Sequence, residues 1–139
     1  DSWAGLHNAQ MYEEFGLPYI KRILDALAPY KIPRIYIAVG AGHLYPLMAQ
    51  LPVEVLSADW RIPLDQVRPT VGERTLQGNL DPAILLADPD VVAEDAKRVL
   101  RAGLGGAHIF NLGHGIFPQA KIDNVTRLVE TVHNFHRHE

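Results

Sequence analysis

Ala107-His108-Ile109-Phe110-Asn111-Leu112-Gly113-His114-Gly115-Ile116-Phe117-Pro118 runs a short apolar strand straight into two glycines that flank one histidine. The run from Ala107 to Leu112 is too apolar to face water and reads as a buried strand. Gly113 and Gly115 permit backbone conformations and close approaches that a β-carbon forbids. His114 is therefore expected on a loop at a strand exit. In parallel α/β folds the carboxyl ends of the strands are where ligands bind. An imidazole, which titrates near neutrality, makes that position the first candidate for function.

Upstream of this strand the same alternation repeats. Apolar residues at helical spacing (Met11, Phe15, Tyr19, Ile23, Leu27) predict a helix over Asn8 to Leu27, kinked or restarted at Pro18. Ile32 to Val39 is a strand-like run closed by Gly40-Ala41-Gly42, and His43 to Gln50 reads as a short helix. Val53 to Ala58 is a second strand, ending at Asp59-Trp60, with a helical turn or two over Pro63 to Arg68. Arg74 to Gln77 forms a brief third strand leading into Gly78-Asn79-Leu80-Asp81-Pro82. Asp88-Pro89 looks like a cap with proline at the first helical position, and that helix runs to about Ala102. After the fourth strand comes an amphipathic helix with a predicted inner face of Ile122, Val125, Leu128, Val129, Val132 and Phe135, and Asp123 as its cap.

About four strand-then-helix units in a row call for an α/β fold with parallel strands and right-handed crossovers. An open doubly wound sheet and part of a closed barrel both satisfy that pattern. Gly40-Ala41-Gly42 is not G-x-G-x-x-G, and no G-x-x-x-x-G-K-[ST] occurs, so the barrel is preferred. A whole (β/α)8 TIM barrel takes about 250 residues, and this chain has 139. Its first residues, Asp1-Ser2-Trp3-Ala4-Gly5, read as the loop after a strand. Residues 1–139 are thus expected to be a single partial domain, the C-terminal half of such a barrel.

Composition removes several function classes. Close to half of the residues are apolar (47%) and the formal charge is −3 without a basic run, which argues against nucleic acid or an anionic membrane as partner. No apolar stretch reaches the ~20 residues a spanning helix needs. There is no cysteine, so disulfides, thiolate metal sites and a cysteine nucleophile are excluded. A reducing, cytoplasmic setting is compatible with that usage.

Five motifs come in one order: Asp1-Ser2-Trp3-Ala4-Gly5; Glu14-Phe15 with Leu17-Pro18-Tyr19; Asp59-Trp60-Arg61; Gln77-Gly78-Asn79-Leu80-Asp81-Pro82; and Asn111-Leu112-Gly113-His114-Gly115 with Pro118 after it. In this the chain resembles the uroporphyrinogen decarboxylase family over essentially its whole length. Gln119-Ala120-Lys121 and Ser57-Ala58 depart from the usual family strings and look like neutral variation. The resemblance implies a (β/α)8 barrel that works as a homodimer without metal or organic cofactor. It implies removal of carbon dioxide from the four acetate side chains of uroporphyrinogen III, giving coproporphyrinogen III in haem and chlorophyll synthesis.

Loss of carbon dioxide from an acetate on a pyrrole leaves carbanion character unless the ring is first protonated beside the leaving group. The ring then acts as its own electron sink. The protein must orient carboxylates, hold the pyrrole N–H groups and stabilise a cationic ring in a water-poor cleft. The family's arginine-rich segment, aspartate and tyrosine belong to an N-terminal half, so no catalytic residue is expected within this chain, and the isolated chain is expected to be inactive. Two substrate-binding residues carry over from the family: Ser2 and His114. Both suit hydrogen bonding to a propionate or acetate, His114 more strongly when protonated.

Other polar residues have plainer readings. Gln77, Asn79 and Asp81 are assigned to scaffold, Asp59 to pairing with Arg61 or capping the next turn, and Trp60 to the core. His43 is expected to start a helix. His133, His136 and His138 have short ligand spacing but sit at a polar chain end, so no metal site is assigned. Two alternatives stand beside the decarboxylase reading. One is a non-catalytic half-barrel that dimerises or binds a porphyrin precursor. The other is a zinc- and corrinoid-linked methyltransferase of the same superfamily, against which the lack of cysteine weighs. A half-barrel also leaves two open sheet edges, which predicts self-association or contact with the missing half.

Overall fold

The computed structural model describes residues 1–136. His138 lies outside the described residues. Four strands, β1 (Ile35–Ile37), β2 (Val55–Ser57), β3 (Thr75–Leu80) and β4 (His108–Leu112), form one parallel sheet in the order β1-β2-β3-β4. Each strand lies beside its predecessor and the order never reverses. A doubly wound sheet needs a reversal point, so the sheet is the wall of a partial barrel.

The helices follow the strands as the alternation predicts. Pro18, in the first turn, restarts the first helix, which divides into α1 (Ala9–Phe15) and α2 (Leu17–Leu27). After them come α3 (Tyr45–Met48), α4 (Leu64–Val71), α5 (Pro89–Ala102) and α6 (Ile122–His133). The register pairs Tyr36 with Leu56, and Leu56 with Leu76, on one face of the sheet. Leu56 and Leu76 are fully buried there, in a core shared with Leu44, Val67, Val92 and Val99. The opposite face carries Ile37, Ser57, Gln77 and Ile109 as one paired layer. Ile109 and Ile35 are half exposed on that side, which is the face a closed barrel turns inward.

The amino ends of the strands are knitted by arginines. Arg34 donates to Leu24 O at 2.7 Å and forks onto Glu54, and Arg74 donates to Leu51 O at 3.0 Å and Ala49 O at 3.1 Å. Arg68 reaches Ala107 O at 3.0 Å. A fork of this kind matches carboxylate geometry, and Arg34 holds the Glu54 carboxyl at about 2, well below the usual range.

Several local expectations differ from the structure. β1 is shorter than Ile32 to Val39, since Pro33 lacks the N–H a ladder needs. β3 runs on through Gly78 and Asn79 to Leu80, pairing with Phe110, Asn111 and Leu112, beyond the end at Gln77 expected for it. A β-carbon on Gly78 would stand 2.6 Å from Ala58 O, so glycine marks a close backbone approach there and not a turn. In α6, Leu128 is buried, but Ile122 and Val129 are exposed. Lys121 occupies the cap position and Asp123 lies inside the first turn. Phe15, Tyr19 and Ile23 share helical spacing yet face outward, while Tyr12 and Leu24 face the core.

Candidate functional site

Every strand exit meets the loop after β2. Asp59, nearly fully buried, accepts from Arg61 N at 3.0 Å and Arg61 Nη1 at 2.8 Å, and also from Gly40 N at the exit of β1. Asn79, near the end of β3, donates to Asp59 O at 2.8 Å and Ile62 O at 2.7 Å. Gly113, just after β4, packs against the Trp60 backbone. One loop thus fixes four strand ends relative to one another. The expected Asp59–Arg61 pair and the scaffold role of Asn79 are as read from sequence; Asp81 likewise caps a 3-10 turn by accepting from Ala83 N.

Trp60 does not anchor the core. It is half-buried, with the Arg61 guanidinium 4.2 Å over its ring and His114 edge-on to it at 6.2 Å. The guanidinium is itself steadied by Asp59, so the rim is ordered from a buried carboxylate outward. His114 is exposed beyond the end of β4, at the strand exit expected for it.

Ser2 is held by its neighbour. The Asp1 amino group donates to Ile37 O at 2.7 Å and Val39 N donates to Asp1 O at 3.0 Å, the pattern of a parallel ladder along the outer edge of β1. Asp1 Oδ1 caps the turn that follows by accepting from Trp3 N and Ala4 N. Ser2 and His114 thereby line one open cleft of about 410 Å³, at the carboxyl ends of the strands and the upper part of the inward face. Its walls are Ile35, Ile37 and Val39 on one side and Asn111 and Leu112 on the other, with Ser57 and Gln77 between.

His43 stands in a short 3-10 turn with Nε2 at 2.7 Å from His7 O and does not line the cleft. His133 and His136 are exposed, and among the described residues no three histidine or acidic side chains converge as a metal would require. Gln77, assigned to scaffold from sequence, lines the cleft instead, and Ser57 is a cleft residue that sequence reasoning missed. For Ser57 the signal was available, because it is a polar residue on the inward parity of the otherwise apolar β2.

The family model for uroporphyrinogen decarboxylase matches residues 1–135. The chain belongs to the uroporphyrinogen decarboxylase family. Curated uroporphyrinogen decarboxylases resemble it closely, that of Corynebacterium diphtheriae at 44% identity over 97% of this chain and 41% of the relative. The enzyme of Streptomyces griseus is 45% identical over 96% of this chain and 37% of the relative. The chain therefore spans about two fifths of the length of these uroporphyrinogen decarboxylases. Among solved structures, a methyltransferase from Methanosarcina mazei superposes with a TM-score of 0.82 at 20% identity, over 94% of this chain and 39% of that one. At that identity the likeness concerns the fold alone.

Proposed function

We propose that this chain is the C-terminal wall of a uroporphyrinogen decarboxylase that converts uroporphyrinogen III to coproporphyrinogen III in haem synthesis. The observation that carries the reading is the meeting of Ser2 and His114, from opposite ends of the chain, in one cleft at the strand exits of a family member. In this reading the two side chains hydrogen-bond propionate or acetate arms. The apolar wall of Ile35, Ile37 and Val39 takes the flat pyrrole faces.

The chemistry divides between two halves of a barrel. Protonation of a pyrrole carbon beside the acetate makes the ring cationic; the C–C bond to the carboxylate then breaks, its electron pair returns to the ring, and carbon dioxide leaves. A proton delivered to the exocyclic methylene carbon then completes a methyl group, and the proton first placed on the ring carbon leaves, restoring the pyrrole. The groups that hold the pyrrole nitrogens and stabilise the cation belong to an N-terminal half outside these residues. This wall fixes the arms and so the acetate to be lost. The complete protein is a cytoplasmic homodimer in this reading.

Anaerobic incubation with uroporphyrinogen III tests it. The chain alone should give no coproporphyrinogen, and the chain supplied with its N-terminal half should give it. Turnover by the isolated chain would refute the division of labour, and no turnover by the combined halves would refute the function.

A further inference from the structure

The proposed function leaves one cation of the rim unused. Arg34, Arg68 and Arg74 tie down the amino ends of the strands. On the loops that leave β1, β2 and β3 at their carboxyl ends, the one arginine or lysine is Arg61. It is held from three sides. Its amide and its Nη1 donate to the two oxygens of the buried Asp59, at 3.0 and 2.8 Å. Asn79 donates to the carbonyls of Asp59 and Ile62, which bracket it in the chain. The guanidinium stands over the Trp60 ring, 4.2 Å from the centroid.

Arg61 is half exposed, and an arginine on a surface ordinarily keeps several rotamers. Here Asp59 and Trp60 fix it in advance, and they do so at the cost of one guanidinium nitrogen. Nε and Nη2 have no acceptor among the described residues. Those two nitrogens form the side of the fork that meets a carboxylate in two parallel bonds. A fixed fork with that side open suits a planar anion, because binding one costs little further order. His114 meets the same indole edge-on at 6.2 Å, so fork and imidazole border one ring at the carboxyl-end rim.

We infer that Arg61 binds a carboxylate arm of the substrate through Nε and Nη2, next along the rim from the arm held by His114. Resting on the decarboxylase reading, this contact adds a permanent charge to the neutral hydroxyl of Ser2 and the titratable imidazole. A porphyrinogen carries carboxylates around its whole perimeter, so neighbouring arms reach the rim at neighbouring places. Asp59 does not compete for the arm's place, since it is buried and already accepts from Gly40 N, Arg61 N and Nη1. Trp60 shields one face of the guanidinium from water, which strengthens the charged bonds at its edge.

Two substitutions at one position separate this role from a structural one. Arg61→Lys keeps the charge and a donor for Asp59 but has no fork; Arg61→Leu removes all three. In the complete enzyme, Arg61→Leu should raise KM for uroporphyrinogen III about tenfold or more and Arg61→Lys severalfold, with kcat near that of the parent. Added salt should raise KM of the parent more steeply than that of Arg61→Leu, in which one attraction is gone. A residue that only neutralises Asp59 predicts that lysine substitutes fully, and that leucine lowers the melting temperature while KM and its salt dependence hold. An unchanged KM in either variant, or a raised KM with the salt dependence of the parent in Arg61→Leu, overturns the inference and leaves the decarboxylase reading intact. Failure of the unsubstituted enzyme to turn over uroporphyrinogen III overturns both. Should Arg61→Leu not fold, Arg61→Lys carries the test alone, and an unchanged KM there overturns the inference.

Discussion

A β-carbon placed on Gly113 would lie 2.5 Å from the Trp60 amide nitrogen. The exit of β4 and the loop after β2 are in backbone contact, and the His114 that follows is brought to the Trp60 ring by that contact. Gly113→Ala must push the two apart. Overpacking of this kind costs about 1–3 kcal/mol, so the variant should melt at lower temperature and show altered indole fluorescence. Gly115, whose β-carbon would meet nothing, should accept alanine with an unchanged melting temperature.

His114→Ala should leave stability within about 0.5 kcal/mol, because the side chain is exposed. A hydrogen bond to a charged group is worth about 1.5–3 kcal/mol, which is roughly ten- to hundredfold in binding. If His114 holds a carboxylate arm as proposed, the complete protein should therefore lose substrate affinity on that scale. Equal kinetics in the variant and the parent would remove His114 from the binding set.

Asp59→Ala removes the acceptor for Gly40 N, Arg61 N and Arg61 Nη1 at once. The Arg61 side chain is half exposed and finds water, so the loss lies mainly in the two stranded amides. Charge-assisted bonds to amides are worth about 1.5–3 kcal/mol each. Chemical denaturation should show a loss in that range or above, and amide exchange should rise at Gly40 and Arg61 together.

His108 gives stability a pH dependence. Burial lowers its pKa, the Gly78 carbonyl at 2.7 Å opposes the shift in part, and Arg68 adds to it. The folded value thus lies below the unfolded one, near 6.5. The unfolded chain takes the proton first, so the contribution is present above the unfolded value and is lost as pH falls through the folded one. Melting temperature should decline on acidification below about 6.5, and His108→Gln should flatten that part of the profile. Parallel curves for the two proteins would disprove the assignment.

The repeat of strand and helix was legible because each element carries its own period, and the strand exits were legible because glycine and proline punctuate them. Edges were harder. Gly78-Asn79 has turn composition, yet the strand continues because Asn79 gains two carbonyls of the neighbouring loop and Gly78 lets Ala58 approach, both long-range facts. Trp60 was placed in the core by its size, but its partners are a charged and a titratable residue from either side of the rim. Gln77 illustrates the same limit. Its composition suits a turn as well as a cleft, and only the register with Ser57 and Ile109 turns it inward.

The arginines at the amino ends of the strands and the Asp59 loop at their carboxyl ends divide one sheet into two territories. Substitutions should sort accordingly. Changes among Arg34, Glu54, Arg68 and Arg74 should lower the yield of folded protein while each surviving molecule keeps its normal turnover. In the decarboxylase reading, changes at Ser2 and His114 should do the opposite, giving full expression and poor turnover. In the decarboxylase reading, variants of the complete protein could then be told apart by measuring abundance and specific activity side by side, and deficits of the first kind would be open to rescue by a ligand that binds and stabilises the folded state.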